Sequence, residues 1–225
     1  IDSSVNAALL CLALGKERVI GYNMASRFNS SKTQSIAARS AALLGIRYHD
    51  GSIEPLVEST HDTLMQYGYS IKESGLAYEN IQARLRGHLL SSFASYEQGV
   101  ICNNGNKVEC ALGYATLYGD TIGALSPLGD CTKVQIFELA KTLNRWLDKP
   151  VIDPALIPQL TSGEYEFELA PSAELKDKQI DPMKWGYHDW LVQYLTQYPS
   201  HSIEEWLELY RSNEWLKTEA APFMK

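Results

Sequence analysis

Helix-like and strand-like segments alternate along the first two-thirds of the chain, and this alternation restricts the possible folds more than any other feature. Apolar residues recur at helical spacing after Asp2, and residues 19–24 then form a short apolar run typical of a buried strand. A second helix is predicted to start at Ser30, and a second strand over residues 47–50. Alternating units of this length predict an α/β fold, a doubly wound, mostly parallel sheet with helices on both faces.

The alternation continues to about Pro150 and then changes. Further predicted elements are a helix with Pro55 in its first turn, a helix over residues 79–93, a strand over residues 99–102, and helices over residues 107–117 and 132–147. Residues 151–186 are rich in proline and charge and have little periodicity, so we predict a long excursion there. Residues 187–225 are predicted to carry two terminal helices, over residues 187–198 and 203–216. The whole chain, residues 1–225, is predicted to be one domain.

The composition disfavours several classes of protein. With 45% hydrophobic and 21% charged residues, the chain is neither a disordered segment nor a fibrous repeat. A net charge of −7 disfavours nucleic acid and anionic membranes as partners, and the longest apolar run is far shorter than the ~20 residues of a membrane span. The four cysteines show no CxxC spacing and no signal peptide is visible, so we expect reduced thiols and a cytoplasmic location. Because the chain opens with Ile1 and not Met, we expect it to be part of a longer polypeptide.

Three strand-to-helix segments are candidates for ligand contact, because an open parallel sheet binds ligands at the carboxyl ends of its strands. Asp2-Ser3-Ser4 opens a helix, where free N–H groups suit a phosphate, although plain capping would explain the same residues. Residues 103–109 place Glu109 in a first helical turn, where it could bind Mg²⁺ or only complement the helix dipole. Residues 129–133 place Lys133 in a first turn, which is unfavourable for the helix and favours an anionic ligand.

Longer motifs stand in a fixed order along the chain. They are GYNMASRFNS at residues 21–30, ENIQARLR at 79–86, GNKVE at 105–109, YGD at 118–120, PLGD at 127–130 and PSAEL at 171–175. Together with Ile1-Asp2-Ser3-Ser4, which is similar to the end of the SGGxDSS loop of ATP pyrophosphatases, they resemble the NAD⁺ synthetase family over most of residues 1–190. The loop is shared with GMP synthetase and its relatives, whereas the ENIQAR helix and the later motifs are much more specific.

The resemblance implies an ATP pyrophosphatase-type fold and a reaction in which deamido-NAD⁺, ATP and ammonia give NAD⁺, AMP and pyrophosphate. The nicotinate carboxylate attacks the α-phosphorus of ATP, and ammonia then attacks the adenylated carbonyl. No protein nucleophile is needed, in keeping with a sequence in which no Ser-His-Asp or Cys-His arrangement stands out. Catalysis would depend on positioning and on compensating phosphate charge, with Mg²⁺ as the implied cofactor. A homodimer or larger assembly is also implied.

The resemblance further implies roles for single residues. ATP would contact Asp2, Ser3, Ser4, Met24, Ser30, Asn104, Lys133 and Ser172, with the backbone of Met24 at the adenine. Deamido-NAD⁺ would contact Asn80, Arg84 and Glu109, and Mg²⁺ would be bound by Asp2 and Glu109. Asn104 stands where many family members have threonine.

Two departures from the ammonia-dependent members stand out. Leu117 and Ala124 replace a lysine and an aspartate of that branch, and the stretch between Lys133 and Ser172 is longer. Both features resemble the glutamine-dependent branch, in which an upstream nitrilase-like glutaminase domain supplies ammonia, so we expect this chain to be the ammonia-consuming part. The alternatives are another ATP pyrophosphatase-type enzyme, GMP synthetase-like or tRNA-thiolating, or a catalytically inactive nucleotide sensor.

Overall fold

The computed structural model describes residues 1–73, 75–161, 164–197 and 202–214. Its elements are α1 (Asp2–Leu14), β1 (Ile20–Ala25), α2 (Ser31–Leu44), β2 (Arg47–Ser52), α3 (Glu54–Gln66), α4 (Leu76–Glu97), α5 (Lys107–Leu112), α6 (Lys133–Trp146), β3 (Gln159–Thr161), β4 (Glu164–Glu166), α7 (Tyr187–Gln197) and α8 (Ile203–Arg211). Short 3₁₀ helices lie at Lys16–Arg18 and Pro154–Leu156.

Strands β1 and β2 lie side by side in parallel, with Ile20 opposite Arg47 and Ala25 opposite Ser52. Helix α2 connects them, which makes a βαβ unit. Ser30 caps the start of α2, where its side chain accepts a hydrogen bond from the N–H of Thr33, and α2 ends where Gly45 adopts a left-handed φ of 72°. The predicted α/β class, with parallel strands, covering helices and helices near the C terminus, is confirmed.

The structure differs from the predictions for residues 99–102 and 107–117. The strand predicted over residues 99–102 forms only an isolated parallel bridge, between Cys102 and Leu125. Val100 is 64% exposed, so this apolar run is not buried as a central strand would be. The helix predicted over residues 107–117 is too long, because Gly113 adopts a left-handed φ of 68° and ends α5 at Leu112.

The other helices lie at or near their predicted positions. Helix α6 confirms the prediction for residues 132–147, and it starts with a capping box between Thr132 and Gln135. Helix α4 extends beyond the predicted residues 79–93 at both ends. Helix α8 ends at Arg211, so the prediction of residues 203–216 is too long. Tyr198 and Leu216 lie outside the described residues.

The main core lies where α1 packs against α6. The side chains buried there are Val5, Ala8, Leu128, Ile136, Ala140, Leu143, Val151 and Ile152. A second cluster of Ile53, Val57 and Tyr78 joins the start of α3 to the start of α4. Because α1 and α6 pack together in this way, their first residues, Asp2 and Lys133, become neighbours.

Residues 151–186 hold more structure than the predicted excursion implied. Strands β3 and β4 form an antiparallel pair, and the rings of Tyr165 and Phe167 lie 5.6 and 5.8 Å from the ring of Phe137 on α6. The division of the chain into domain, excursion and terminal helices stays a prediction. Within the described ranges, only α4, with 22 residues, has the length of a bilayer-spanning helix, and it is too polar to be one.

Candidate active site

The ammonium group of Lys133 lies between the carboxylates of Asp2 and Glu109. Its Nζ is 2.5 Å from Oδ2 of Asp2 and 3.6 Å from Oε1 of Glu109. The three side chains come from the first turns of α1, α5 and α6, and Lys133 is only 2% exposed. Three residues predicted from sequence, separated by as many as 131 positions, are therefore brought into contact.

Asn106 connects the two carboxylates. Its Nδ2 donates to Oδ1 of Asp2 at 3.2 Å, and its backbone N–H donates to Oε2 of Glu109 at 3.1 Å. Its Oδ1 accepts from the N–H of Glu109, which completes a capping box at the start of α5. Asn106 was not among the predicted site residues, although its N-x-x-E spacing before a helix is visible in the sequence. We call Asp2, Asn106, Glu109 and Lys133 the lysine cluster.

Burial and charge act in opposite directions on the lysine cluster. Burial alone would lower the pKa of Lys133, but the carboxylates of Asp2 and Glu109 raise that pKa above its usual value. Burial raises the pKa of Glu109, and the charge of Lys133 offsets only part of the rise. For Asp2 burial acts in the same direction, but the charge and hydrogen bond of Lys133, together with the amino terminus and the hydrogen bond from Asn106, outweigh burial, and the pKa is lowered. One ammonium thus compensates the nearer acid well and the farther acid incompletely.

A third acid, Asp181, adds negative charge beside the lysine cluster. Its Oδ1 accepts from the hydroxyl of Tyr114 at 3.3 Å and from the N–H of Ala173 at 3.1 Å. Burial raises the pKa of Asp181, and burial together with Asp181 raises the pKa of Tyr114 to about 12. The region therefore holds more acidic than basic groups, which favours a cation. Asp181 lies in the excursion, where neither periodicity nor spacing points to a single acid.

Trp185 and Asp189 cover the start of α6. The Nζ of Lys133 lies 5.2 Å from the centre of the Trp185 ring. The carboxylate of Asp189, 3% exposed, accepts from the N–H of Val134 at 2.7 Å and from the N–H of Gly186 at 3.1 Å. The carboxylates of Asp2 and Glu109 offset part of the unfavourable position of Lys133 in the first turn of α6, and its contact with an anionic ligand stays a prediction.

A second group of predicted residues gathers at the end of β1. Arg86 donates to the carbonyl of Met24, and Asn29 donates to the carboxylate of Glu174 at 2.8 Å. Glu174 also accepts from the N–H of Ser30 at 3.4 Å, while its own N–H donates to Oγ of Ser172 at 3.0 Å. The predicted ATP contacts Met24, Ser30 and Ser172 are thus joined by Arg86, Asn29 and Glu174. These three connecting residues were not predicted, although each lies inside a motif quoted above.

Asn80 and Arg84 use part of their hydrogen-bonding capacity to hold the segment after α5. Oδ1 of Asn80 accepts from the hydroxyl of Thr116 at 2.8 Å, and Nε of Arg84 donates to the carbonyl of Leu117 at 3.2 Å. A Cβ added at Gly87 would lie only 2.7 Å from the Tyr118 carbonyl, so the close contact requires glycine there. Among the described residues, the amide nitrogen of Asn80 and the terminal nitrogens of Arg84 have no hydrogen-bond partner, so they can bind a ligand.

Ser3, Ser4 and Asn104 do not join the hydrogen bonds of the lysine cluster. Ser3 and Ser4 lie in the first turn of α1, where the N–H groups have no intrahelical partners because of the helix geometry. No side chain caps these N–H groups at the start of α1. Oδ1 of Asn104 accepts from Nδ2 of Asn6 at 2.9 Å. Of the predicted residues, Asp2, Glu109 and Lys133 form one site, Met24, Ser30 and Ser172 a second group, and Asn80 and Arg84 a third.

The lysine cluster offers two carboxylates for a divalent cation. Among the residues that the structure describes, no three His, Cys, Asp or Glu side chains gather in a way that would hold a metal by themselves. Mg²⁺ is usually held by one or two carboxylates together with water and substrate phosphates. Asp2 and Glu109, with the excess of acids around Lys133, fit that requirement.

The fold and the site define an α/β domain in which acidic and basic side chains converge where helices begin. The sequence matches the family model NAD synthase over residues 1–217. The chain therefore belongs to the NAD synthase family.

Individual relatives agree with this assignment. The chain is 33% identical to the glutamine-dependent NAD(+) synthetase of Xanthomonas campestris pv. campestris, over 99% of the chain and 41% of that protein. It is 38% identical to the protein of the same name from Synechocystis sp., over 80% of the chain and 30% of that protein. The solved structure of glutamine-dependent NAD⁺ synthetase from Acinetobacter baumannii in complex with ADP superposes with a TM-score of 0.67 and 26% identity, covering 96% of this chain and 39% of that one. The chain spans less than half the length of these relatives.

Proposed function

We propose that this chain catalyses the ATP-dependent amidation of deamido-NAD⁺ to NAD⁺, with release of AMP and pyrophosphate. The observation that carries the proposal is the contact of Asp2 and Glu109 with one buried lysine in a member of the NAD synthase family. The names of the relatives support glutamine as the source of ammonia, supplied by a separate domain, and the ADP bound in one of them supports ATP as a substrate. A homodimer or larger assembly is part of the proposal.

The triphosphate of ATP is proposed to lie against the first turn of α1. Ser3 and Ser4 offer backbone N–H groups and hydroxyls there, and the positive end of the helix dipole favours phosphate. Lys133 and Asn104 contact the phosphates from the neighbouring helix start and loop. The adenine base lies at the backbone of Met24, and Ser30 and Ser172 complete the ATP site.

Asp2 and Glu109 would hold Mg²⁺ at the phosphate site. When bound, Mg²⁺ compensates the charge that builds up on the leaving pyrophosphate. The two carboxylates supply negative charge that the single ammonium of Lys133 does not balance. The pKa of Glu109, which burial still raises beside Lys133, is a sign of that incomplete compensation. Lys133 is close enough to both carboxylates to share the same phosphate site.

Deamido-NAD⁺ is proposed to be oriented by Asn80, Arg84 and Glu109. The nicotinate carboxylate attacks the α-phosphorus of ATP, the bond to the pyrophosphate oxygen breaks, and an acyl adenylate forms. Ammonia then attacks the acyl carbon, AMP leaves with the bonding electrons, and the surplus proton of the amine is released. The protein contributes positions and fixed charges and forms no covalent bond.

The test is a pyrophosphate-release assay with ATP, Mg²⁺, ammonia and one of three acceptors. Deamido-NAD⁺ is expected to give pyrophosphate and NAD⁺ in equal amounts, and omission of ammonia should stop NAD⁺ formation. Release with xanthosine monophosphate or with tRNA in place of deamido-NAD⁺ would assign the chain to another ATP pyrophosphatase-type activity. Binding of ATP without any turnover would support an inactive nucleotide sensor.

A further inference from the structure

Arg86 carries a partly buried guanidinium that contacts no carboxylate among the described residues. Its side chain is half-buried on α4, and within the described part of the chain no Asp or Glu oxygen lies within 4.0 Å of it. Burial lowers its pKa to about 10, while the more distant Glu174 and Glu54 act in the opposite direction. The guanidinium is therefore protonated at neutral pH and held mainly by neutral acceptors.

Those acceptors belong to the end of β1 and to the loop that follows it. Nε of Arg86 donates to the carbonyl of Met24 at 2.9 Å, and Nη2 donates to Oδ1 of Asn29 at 3.2 Å. Oδ1 of Asn29 also accepts from the N–H of Ser26 at 2.8 Å, so the same atom fixes the turn between β1 and α2. One side chain thus connects the last part of the strand to residues 26–30.

An arginine is needed for this connection because its planar fork reaches two acceptors in fixed directions. A lysine in its place has one ammonium at the end of a flexible stem and would hold one acceptor at a time. An apolar residue would fill the volume without the cost of burying a charge. The charge and the planar shape of Arg86 therefore fix the direction of the Met24 carbonyl, and they matter less for the packing of α4.

We propose that Arg86 is a positioning residue that sets the preference for adenine at the nucleotide site, by fixing the carbonyl of Met24 and the loop over residues 26–30. This inference rests on the proposed function, in which the base of ATP lies at Met24. A carbonyl oxygen has two lone pairs, so Met24 accepts from Arg86 and still accepts from the exocyclic amine of adenine. Guanine presents a carbonyl oxygen where adenine has that amine, and two acceptors would face each other.

The experiment compares the unmodified protein with Arg86→Lys and Asn29→Ala, with Arg47→Lys as the control. Arg47 lies on β2, is 56% exposed, and pairs with Glu97 at the surface. In the NAD⁺-forming assay, Arg86→Lys is expected to raise KM for ATP about tenfold and to lower the ATP-over-GTP preference by a similar factor. KM for deamido-NAD⁺ and kcat at saturating ATP should stay within twofold, and Arg47→Lys should match the unmodified protein.

Direct titration of ATP and GTP by calorimetry keeps the inference separate from the reaction. If the unmodified protein binds ATP but makes no NAD⁺, the proposed reaction fails, while the ratio of the two nucleotide affinities still tests Arg86. An unchanged ratio in Arg86→Lys overturns the inference, as does an equal change in every kinetic parameter, which would mean a general structural role. If Arg86→Lys does not fold, Asn29→Ala, which breaks the same link from the loop side, must lower the ATP-over-GTP preference for the inference to stand.

Discussion

Replacing Lys133 by methionine isolates the charge of the lysine cluster from its packing. Methionine keeps an unbranched apolar side chain of similar length, so the main change is the loss of the ammonium from between two carboxylates. Removing one partner of a buried ion pair costs about 3–5 kcal/mol. The side chains of Asp2 and Glu109 are 16% and 20% exposed, which lets water reach them and places the expected loss near 3 kcal/mol. With a urea m-value of roughly 3 kcal/mol/M, the unfolding midpoint should fall by about 1 M.

The double variant Asp2→Asn/Lys133→Met tests whether that loss is electrostatic. Asparagine still accepts the hydrogen bond from Asn106, but it carries no charge, so the double variant should regain roughly 1–2 kcal/mol relative to Lys133→Met alone. Urea unfolding followed by circular dichroism at pH 7 is measured for Asp2→Asn, Lys133→Met and the double variant, each against the parent. A loss below about 1 kcal/mol in Lys133→Met, or single-variant losses that simply add in the double variant, would refute the reasoning.

The deficit of Lys133→Met should also depend on pH. Burial already raises the pKa of Glu109 above its unfolded value, and loss of the ammonium raises it further. The folded state then binds more protons than the unfolded state, so the variant gains stability relative to the parent as the pH falls toward the usual range of a carboxyl group. A deficit that grows on acidification would contradict this sign.

Two further predictions follow from single contacts. Glu109→Gln should lower turnover about a hundredfold in the pyrophosphate assay, because the site loses a carboxylate that would hold Mg²⁺ and with it charge compensation at the phosphates. The midpoint of thermal unfolding should stay at or above that of the parent, since burial disfavours the Glu109 carboxylate. Unchanged turnover would remove Glu109 from the site. Gly87→Ala should destabilise the protein by about 2 kcal/mol in urea unfolding despite alanine's better helix propensity, because the new Cβ would lie 2.7 Å from the Tyr118 carbonyl. The control Gly51→Ala, whose new Cβ would have nothing within 4 Å, should change stability by no more than about 0.5 kcal/mol. Equal effects of the two substitutions would argue against the close contact.

Local chemistry made much of the fold predictable. Capping residues indicated the starts of α2 and α6, and glycines indicated the ends of α1 and α2. Strand β1 follows from a short apolar run, whereas β2 is a polar segment that lies between two predicted helices. The errors lie where tertiary contacts overrule local pattern. Residues 99–102 have the composition of a buried strand, yet Val100 lies open to solvent and only one bridge forms.

The candidate site was predictable only in part. Asp2, Glu109 and Lys133 could be singled out because each stands in a first helical turn, where its charge has a definable effect on the helix dipole. Asp181 could not be singled out, because it lies in a segment without periodicity. Its burial and its bond to Tyr114 exist only once the excursion folds over the cluster.

The sequence by itself determined the class of the fold, the family and the short helix-opening segments that carry charge, since these depend on neighbouring residues and on motifs read along the chain. Only the tertiary structure decided that Lys133 is shared by two acids, and that Arg86 reaches Met24. The physical reason is that a buried charge takes its energy from whatever the packing of distant helices places within a few ångströms, and spacing along the chain does not specify those neighbours.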